Sequence, residues 1–240
     1  MEGDALYDKL AGYYDLLYSK KDYKKEVEQL KAIINRVKRN KGDRLLDLGC
    51  GAGGHLKYLI GGFSCTGLDL NESMLEVARK KVKDARFIKG DLADFKLDDG
   101  FDVMISLFGT MGYLRTLDRL EAAFGNVYEH LNPGGVFIFE PWFDPDSFTV
   151  GIPFLHVYDG DGIKIARVTS SEVEGNISRI RMHYIVGRTG CEVEYHSDVH
   201  ELGLFEKDET LGLLEAAGFT AEYDAEGIGG HSGIFIALKN

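Results

Sequence analysis

A hydrophobic run that enters a glycine-rich turn constrains the fold of this chain more than any other feature. The run spans residues 45–48 and the turn residues 49–54, with the sequence LLDLGCGAGG. Glycines allow the backbone to turn tightly and to approach a ligand without Cβ collisions. The pattern is typical of a strand, turn and helix that open an α/β domain and place a cofactor at the turn.

Strand-like and helix-like segments alternate after this turn. The predicted strands cover residues 44–48, 65–70, 86–89, 101–107, 136–140, 219–223 and 234–238, and the predicted helices residues 54–60, 73–82, 117–131 and 207–217. A further amphipathic helix begins at an Asp22 cap and ends near Gly42. Such alternation predicts an α/β fold, with a doubly wound, mostly parallel seven-stranded sheet of Rossmann-like type, in a single domain over residues 1–240.

Residues 150–204 differ from this pattern. Three segments, 163–170, 177–186 and 191–199, alternate apolar and polar residues and are joined by glycine-containing turns, which predicts an antiparallel β-meander inserted in the domain. In the middle strand Tyr184 points to one face, whereas Arg179 and His183 point to the other. Because the apolar face needs a partner, we expect the insertion to cover the active site or to pair two subunits of a homodimer.

Composition limits the partners. The 28 basic and 39 acidic residues give a net charge of −11, which disfavours nucleic acid as a partner. The acidic start of the chain and the absence of a run of roughly 20 apolar residues predict a cytoplasmic protein without a membrane segment. Cys50, Cys65 and Cys191 lie far apart without a C-x-x-C pair, so neither a disulfide framework nor a metal site is predicted.

Three carboxylates bear on the choice of cofactor. Gly49, Gly51 and Gly54 fit the G-x-G-x-x-G spacing, which nicotinamide dinucleotide sites share. Asp69 ends the second strand, where it would accept hydrogen bonds from ribose hydroxyls in either case. Asp47 within the first strand and Asp91 after the third suit the cationic tail and the adenine of S-adenosylmethionine. This cofactor is favoured; a nicotinamide-dependent oxidoreductase and a non-catalytic cofactor-sensing module are the alternatives.

Several motifs carry a resemblance to a known family. The segments LLDLGCGAGGHL, GLDLNESMLEVARKK, GDLADF and LNPGGVFIFEPW resemble the class I S-adenosylmethionine-dependent methyltransferases. The segments YYDLLYSKKDY, TMGYL, EGNISRIRMHYIV and HSDVHELGLF resemble, more narrowly, the N,N-dimethyltransferases of nucleotide-linked amino sugars, and this similarity runs from about Tyr7 to the C-terminus.

The resemblance implies roles for individual residues. It assigns the methionine part of the cofactor to Tyr14 and Tyr23, the rest of the cofactor to Gly49, Asp69, Asp91, Leu92 and Leu107, and the acceptor to Tyr7. We add Asp47, Gly51, Leu70 and Met74 as predicted cofactor contacts.

Methyl transfer asks little of these residues chemically. In-line displacement requires an acceptor nitrogen about 3–3.5 Å from the methyl carbon and releases S-adenosylhomocysteine. We predict the amine of an amino sugar as acceptor, with another small amine or a hydroxyl as the alternative. Tyr113 and His183 are the candidates for orienting the amine or taking its proton. Trp142, Arg167 and Arg179 are the candidates for the walls and anion contacts of the acceptor pocket.

One departure from the family concerns the turn before the last strand. The amino-sugar enzymes have a G-R-G turn whose arginine suits a nucleotide's phosphates, whereas this chain has Ser232 at that position, within GGHSG. Serine cannot replace a bidentate arginine contact to phosphate. Either the acceptor lacks a diphosphate, or Arg167 or Arg179 supplies the charge.

Overall fold

The computed structural model describes the backbone of residues 4–229 and 232–240 and the side chains of residues 11–229 and 233–240. Within these ranges no helix has the length and apolar character to cross a membrane.

The main sheet has seven strands in the order β10-β11-β5-β4-β1-β2-β3. Its strands are β1 (Arg44–Leu48), β2 (Ser64–Asp69), β3 (Arg86–Lys89), β4 (Phe101–Ser106), β5 (Leu131–Phe139), β10 (Thr220–Ile228) and β11 (Ser232–Leu238). Strands β1 to β5 pair in parallel, and β11 pairs antiparallel with both β5 and β10. The predicted fold class, a mostly parallel seven-stranded sheet, is therefore confirmed.

Helices cover both faces of this sheet. They are α1 (Asp4–Leu17), α2 (Tyr23–Val37), α3 (Leu56–Leu59), α4 (Glu72–Lys81), α5 (Leu117–His130) and α6 (Lys207–Ala216), with a 3-10 turn over Thr110–Leu114. Strand alternation sends Leu46 to one core with Phe137, and Leu45 to the opposite core with Ile138. Two separate cores therefore hold the strands whose ends form the site.

Some boundaries differ from the prediction. The Asp22 cap is confirmed, since its carboxylate accepts a hydrogen bond from the Lys25 amide at 3.0 Å. The helix predicted over residues 54–60 is only one turn long, Leu56–Leu59, and Gly54 lies in the loop before it. Helix α5 ends before the Asn-Pro-Gly-Gly segment, but β5 begins directly after the helix. The pairing of β5 with β4 shifts register near the start of β5, where Gly134 has φ 73°. Helix α1 was not predicted.

The insertion forms a second, four-stranded antiparallel sheet in the order β6-β7-β8-β9. Its strands are β6 (Phe154–Gly160), β7 (Ile163–Glu174), β8 (Ile177–Arg188) and β9 (Glu194–Gly203). Three strands were predicted, and β6 is the additional one. Tyr184 and Val186 are fully buried, and Leu17 of α1 packs against them. The inner apolar face thus finds its partner within the chain, whereas Val193 and Tyr195 on the last turn and strand stay exposed.

Candidate functional site

A cavity of about 960 Å³ lies beyond the carboxyl ends of β1, β2 and β4. Strands β8 and β9 of the insertion and residues of α1 form its opposite wall. In the sheet β1 lies between β2 and β4, so the chain reverses its winding direction at this point, where ligands of doubly wound sheets bind. The volume is at the upper end of the range for small-molecule sites, which suits a cofactor and an acceptor together.

The glycine turn has its shape because side chains are excluded from it. Gly49 has φ 75°, and a Cβ there would lie 2.2 Å from Thr110 Cγ2. A Cβ on Gly54 would lie 2.6 Å from the ring of Tyr23. Any side chain at these positions would displace a wall of the cavity, so the sequence requirement for glycine is steric as well as conformational.

Asp69 fixes the turn from below. One carboxylate oxygen accepts a hydrogen bond from the Gly51 amide at 2.8 Å, and the other accepts from the Asn71 amide at 2.9 Å. Burial raises the pKa of Asp69, while these backbone donors oppose the shift. The carboxylate lines the cavity, where ribose hydroxyls can donate to it.

Asp47 lies deeper, beneath the same turn. It is only 3 % exposed, and burial together with the charge of Asp69 raises its pKa to about 8. A carboxyl with this pKa is ionised more readily when a cation lies beside it. The sulfonium and ammonium groups of S-adenosylmethionine are such cations.

Tyrosines from the N-terminal helices close the cavity above the turn. Burial raises the pKa of Tyr14 and of Tyr23 above the usual value for tyrosine, so both phenols are neutral hydrogen-bonding groups at physiological pH. Glu26 sits behind Tyr23, where its carboxylate lies 2.8 Å from His55 Nε2 and 2.7 Å from Lys21 Nζ. Burial alone would raise the pKa of Glu26, but these two partners outweigh it and lower the pKa.

The structure brings the sequence-predicted cofactor residues to one place. Those lining the cavity are Tyr14, Tyr23, Asp47, Gly49, Gly51, Asp69, Leu70, Met74, Asp91, Leu92 and Leu107. Asp91 is held by Arg119, whose Nη2 donates to it at 2.8 Å, so its carboxylate is oriented before a ligand arrives. The contacts of these residues with the cofactor remain predictions.

Two acceptor-side candidates also line the cavity, Tyr113 and Trp142. Trp142 packs against two glycines, Gly109 and Gly112. A Cβ on Gly109 would lie 2.7 Å from Trp142, and a Cβ on Gly112 would lie 2.9 Å from it. Its indole Nε1 donates to Ser178 Oγ of β8 at 3.0 Å. Trp142 therefore joins the main sheet to the insertion at the cavity wall.

His183 and Arg179 lie outside this cavity, which corrects the expectation for both. Each is on the outer face of β8, opposite to the face that carries the buried Tyr184. His183 Nδ1 lies 2.6 Å from the Tyr195 hydroxyl. Arg179 donates twice to Glu201 and once to Glu172, at 2.9–3.2 Å. Strand alternation thus turns both side chains away, and two carboxylates neutralise the guanidinium.

Arg167 and Tyr7 have different outcomes. Arg167 lies on the inner face of β7 but not at the cavity surface: it is 7 % exposed, and its Nη2 donates to the Tyr18 hydroxyl at 3.1 Å. It supports a cavity-lining tyrosine from behind, which corrects its expected direct contact with the acceptor. Tyr7 lies in α1, and its side chain is outside the described residues, as are Gly230 and His231 of the turn before β11.

Sequence reasoning missed several residues of the cavity wall. Phe108, with φ 62°, is a non-glycine residue in the left-handed region, and its amide donates to Glu140 Oε2 at 2.6 Å. Such strain is characteristic of functional sites. His200, on β9, lies 2.9 Å from the Tyr113 hydroxyl through its Nδ1. The sequence signal for His200 was its spacing from Asp198, because residues i and i+2 of a strand lie on the same face.

Comparison with known proteins agrees with this geometry. A family described as "Methyltransferase domain" matches residues 45–135. The dTDP-3-amino-3,4,6-trideoxy-alpha-D-glucopyranose N,N-dimethyltransferase of Streptomyces venezuelae is 39% identical over 231 residues, which cover 95% of this chain and 97% of the relative. The crystal structure of DesVI from the same organism has a TM-score of 0.90 at 37% identity, covering 97% of this chain and 99% of that one.

A solved structure with bound cofactor is similar as well. It is an S-adenosylmethionine-bound amino pentose methyltransferase from Micromonospora echinaspora involved in calicheamicin biosynthesis, with a TM-score of 0.82 and 31% identity, covering 92% of each chain. Together these similarities decide the question that glycine spacing left open. The cofactor is S-adenosylmethionine, and the nicotinamide alternative falls away.

Proposed function

The chain belongs to the class I S-adenosylmethionine-dependent methyltransferases, in the family of the sugar N,N-dimethyltransferases, and we propose that it methylates the primary amine of a nucleotide-linked amino sugar. The observation that carries this proposal is the extent of the similarity. It covers the inserted sheet as well as the cofactor-binding half, and the insertion supplies the wall opposite the cofactor.

The shape of the cavity suits in-line transfer to an amine. Gly49, Asp47 and Asp69 line one end, and Tyr113, Trp142 and β8 line the other. A methyl group between these ends would face an acceptor held by the insertion. Since a neutral amine carries its own lone pair, alignment about 3–3.5 Å from the methyl carbon is the main requirement, and a second turnover on the monomethylated amine needs no new group.

If the acceptor carries a diphosphate, we propose that the positive charge for it comes from a residue other than Arg167 and Arg179, because neither of them is among the residues that line the cavity. Among the described residues, Arg115 lines the acceptor end of the cavity, with its Nη1 3.3 Å from Glu201. It is half-exposed and has φ 65°, an unusual backbone conformation for arginine. We assign to Arg115 the contact with the phosphates that Ser232 cannot make.

A transfer assay with radiolabelled S-adenosylmethionine tests the proposal. Nucleotide-linked amino sugars, free amino sugars, small amino acids and hydroxylated acceptors are offered in parallel. We expect label on the nitrogen of a nucleotide-linked amino sugar, with two methyl groups after exhaustive reaction. Transfer to oxygen or carbon alone would refute N-methylation. Transfer to free amines alone would mean that the serine at position 232 marks an acceptor without a diphosphate.

The homodimer also remains a proposal. Leu155, Val157 and Ile185 are more than half exposed on the outer face of the inserted sheet, and such neighbouring exposed apolar side chains are typical of an interface. Sedimentation velocity on the full chain distinguishes the two states.

A further inference from the structure

A tyrosine, a histidine and an aspartate lie in line behind the acceptor end of the cavity. Tyr113 lines the cavity and is 39 % exposed. Its hydroxyl is 2.9 Å from His200 Nδ1, and His200 Nε2 is 3.2 Å from Asp198 Oδ2. The histidine and aspartate side chains are 3 % and 0 % exposed. The chain of groups therefore runs from the cavity into the protein interior.

Strand geometry explains the arrangement. Asp198 and His200 are two residues apart on β9, so both point to the inner face. The second oxygen of Asp198 accepts a hydrogen bond from the Val199 amide at 2.9 Å, which fixes the carboxylate. Tyr113 comes from the 3-10 turn after β4, on the main sheet. The line is thus assembled across the junction of the two sheets.

The position of the carboxylate bears on the tautomer of the histidine: Asp198 Oδ2 and His200 Nε2 are 3.2 Å apart, at ion-pair distance but without hydrogen-bond geometry. Asp198 beside Nε2 favours a proton on that nitrogen, which leaves Nδ1 as an acceptor for the Tyr113 hydroxyl. A phenol oxygen that donates its proton in this way can also act as an acceptor toward an amine in the cavity. The same order of groups activates hydroxyls in hydrolases that use serine, histidine and aspartate.

We propose that Tyr113, His200 and Asp198 form a proton relay that removes the proton from the acceptor nitrogen, with Tyr113 touching the amine and His200 and Asp198 as positioning residues. This proposal rests on the proposed function. The proton of an acceptor that arrives as an ammonium ion passes to the Tyr113 oxygen as the phenol proton passes to His200 Nδ1, and Asp198 stabilises the imidazolium. The neutral nitrogen then bonds to the methyl carbon while the carbon–sulfur bond breaks, and the methylated product leaves as an ammonium ion. The reverse transfer to water resets the relay after product release.

Other titratable groups lie near this line of groups. Tyr14 of α1 faces Tyr113, and Tyr184 of β8 is close to Asp198; burial raises the pKa of both, so they are neutral in the working range. Glu201 of β9 and Arg115 at the cavity rim pair with each other. Glu140 also lines the cavity, and its Oε2 accepts a hydrogen bond from the Phe108 amide at 2.6 Å.

The relay predicts a pH-dependent defect in two isosteric variants. His200→Asn keeps an acceptor for Tyr113 but cannot take a proton, and Asp198→Asn removes the carboxylate. We expect each to lower kcat on the order of 10²-fold at pH 7 with KM little changed. The defect should shrink above about pH 8, where an amine with a pKa near 7.7–8.0 becomes neutral in solution. A loss of equal size at every pH, or no loss, would overturn the relay.

A second tyrosine–histidine pair provides the matched controls. His183 and Tyr195 make the same type of contact on the outer face of the inserted sheet, outside the cavity. Tyr113→Phe should reproduce the loss seen in His200→Asn, whereas Tyr195→Phe should retain wild-type kcat. If His183→Asn lowered kcat as much as His200→Asn does, the loss would not be specific to His200, and the proposal would be overturned.

An acceptor-independent measurement separates this proposal from the proposed function. Nitrogen NMR of histidine-labelled protein in complex with S-adenosylhomocysteine reports the tautomer of His200 without any turnover. We expect the Nε2–H form, with an Nδ1 signal that shifts in Tyr113→Phe. If Nδ1 carried the proton, His200 would donate a hydrogen bond to Tyr113 and could not accept its proton, which would refute the relay. Failure of the wild type to methylate any amine would instead refute the proposed function.

Discussion

The carboxyl edge of the parallel sheet and the inserted antiparallel sheet build opposite walls of one cavity by different means. At the sheet edge, backbone conformation and buried carboxylates shape the wall, as Gly49 and Asp69 show. At the insertion, side chains from neighbouring strands, such as Met182 and His200, form it. The first wall depends on residues that are contiguous in sequence, and the second on strand pairing over long distances. Changes in the two walls should therefore affect cofactor and acceptor separately.

The largest separate effect is expected at Asp69. Asp69→Ala removes carboxylate hydrogen bonds of about 1.5–3 kcal/mol each, so the Kd for S-adenosylmethionine should rise by roughly 10- to 150-fold. The Gly51 and Asn71 amides lose their partner as well. Calorimetric titration measures the Kd, with circular dichroism as the test of folding. Asp208→Ala on the exposed surface of α6 is the control, and an unchanged Kd for Asp69→Ala would remove Asp69 from the cofactor site.

Asp47 should produce a pH-dependent effect on stability in the same wall. Its folded pKa of about 8 lies above the usual value of about 3.9, so the free protein gains stability from the protonated form at low pH and loses it as pH rises toward 8. Asp47→Asn cannot ionise. Its stability advantage over the wild type should grow between pH 4 and pH 8 to about 5 kcal/mol, or about 10–20 °C in Tm.

Thermal melts across this pH range, without and with cofactor, check the Asp47 prediction. The cationic cofactor should raise the Tm of the wild type more than that of Asp47→Asn, because only the carboxylate gains from the charge. A difference in Tm that does not vary with pH would show that Asp47 keeps an ordinary pKa.

The smallest effect is expected at Arg115, on the acceptor side. Arg115→Gln should raise KM for a nucleotide-linked amino sugar by about 5- to 10-fold, since an exposed arginine contributes on the order of 1 kcal/mol. The Kd for S-adenosylmethionine and KM for a free amino sugar should not change. Arg181→Gln, which removes an exposed arginine from the outer face of β8, is the matched control. Equal loss with the free sugar would contradict a phosphate contact.

The same contrast explains how far the sequence could be interpreted. The strand and glycine turn around Asp47 and Gly49 are local patterns, and they predicted the sheet and the cofactor end. On the insertion, alternation separated Tyr184 from His183 correctly. It could not tell which face meets the cavity, because that depends on packing against Leu17 of α1, a distant and unpredicted helix.

The two tyrosine-paired histidines of the inserted sheet illustrate the limit in physical terms. His183 and His200 are both histidines on strands of the same sheet, and each contacts a tyrosine hydroxyl. The sequence pattern favoured His183, which pairs with Tyr195 on the outer face. Only the register of β8 with β9, which sets Ile180 opposite His200, brings His200 to the buried side next to Tyr113. Long-range register is not encoded in any local pattern.

A crystal structure of the chain with S-adenosylhomocysteine and a nucleotide-linked amino sugar tests the division of the cavity most directly. We expect adenosine to lie against Asp69 and Asp91, and the sugar between Trp142 and β8. The amine should lie about 2.6–3.2 Å from the Tyr113 hydroxyl and face the sulfur. A sugar bound outside the inserted sheet, or an amine turned away from Tyr113, would contradict it.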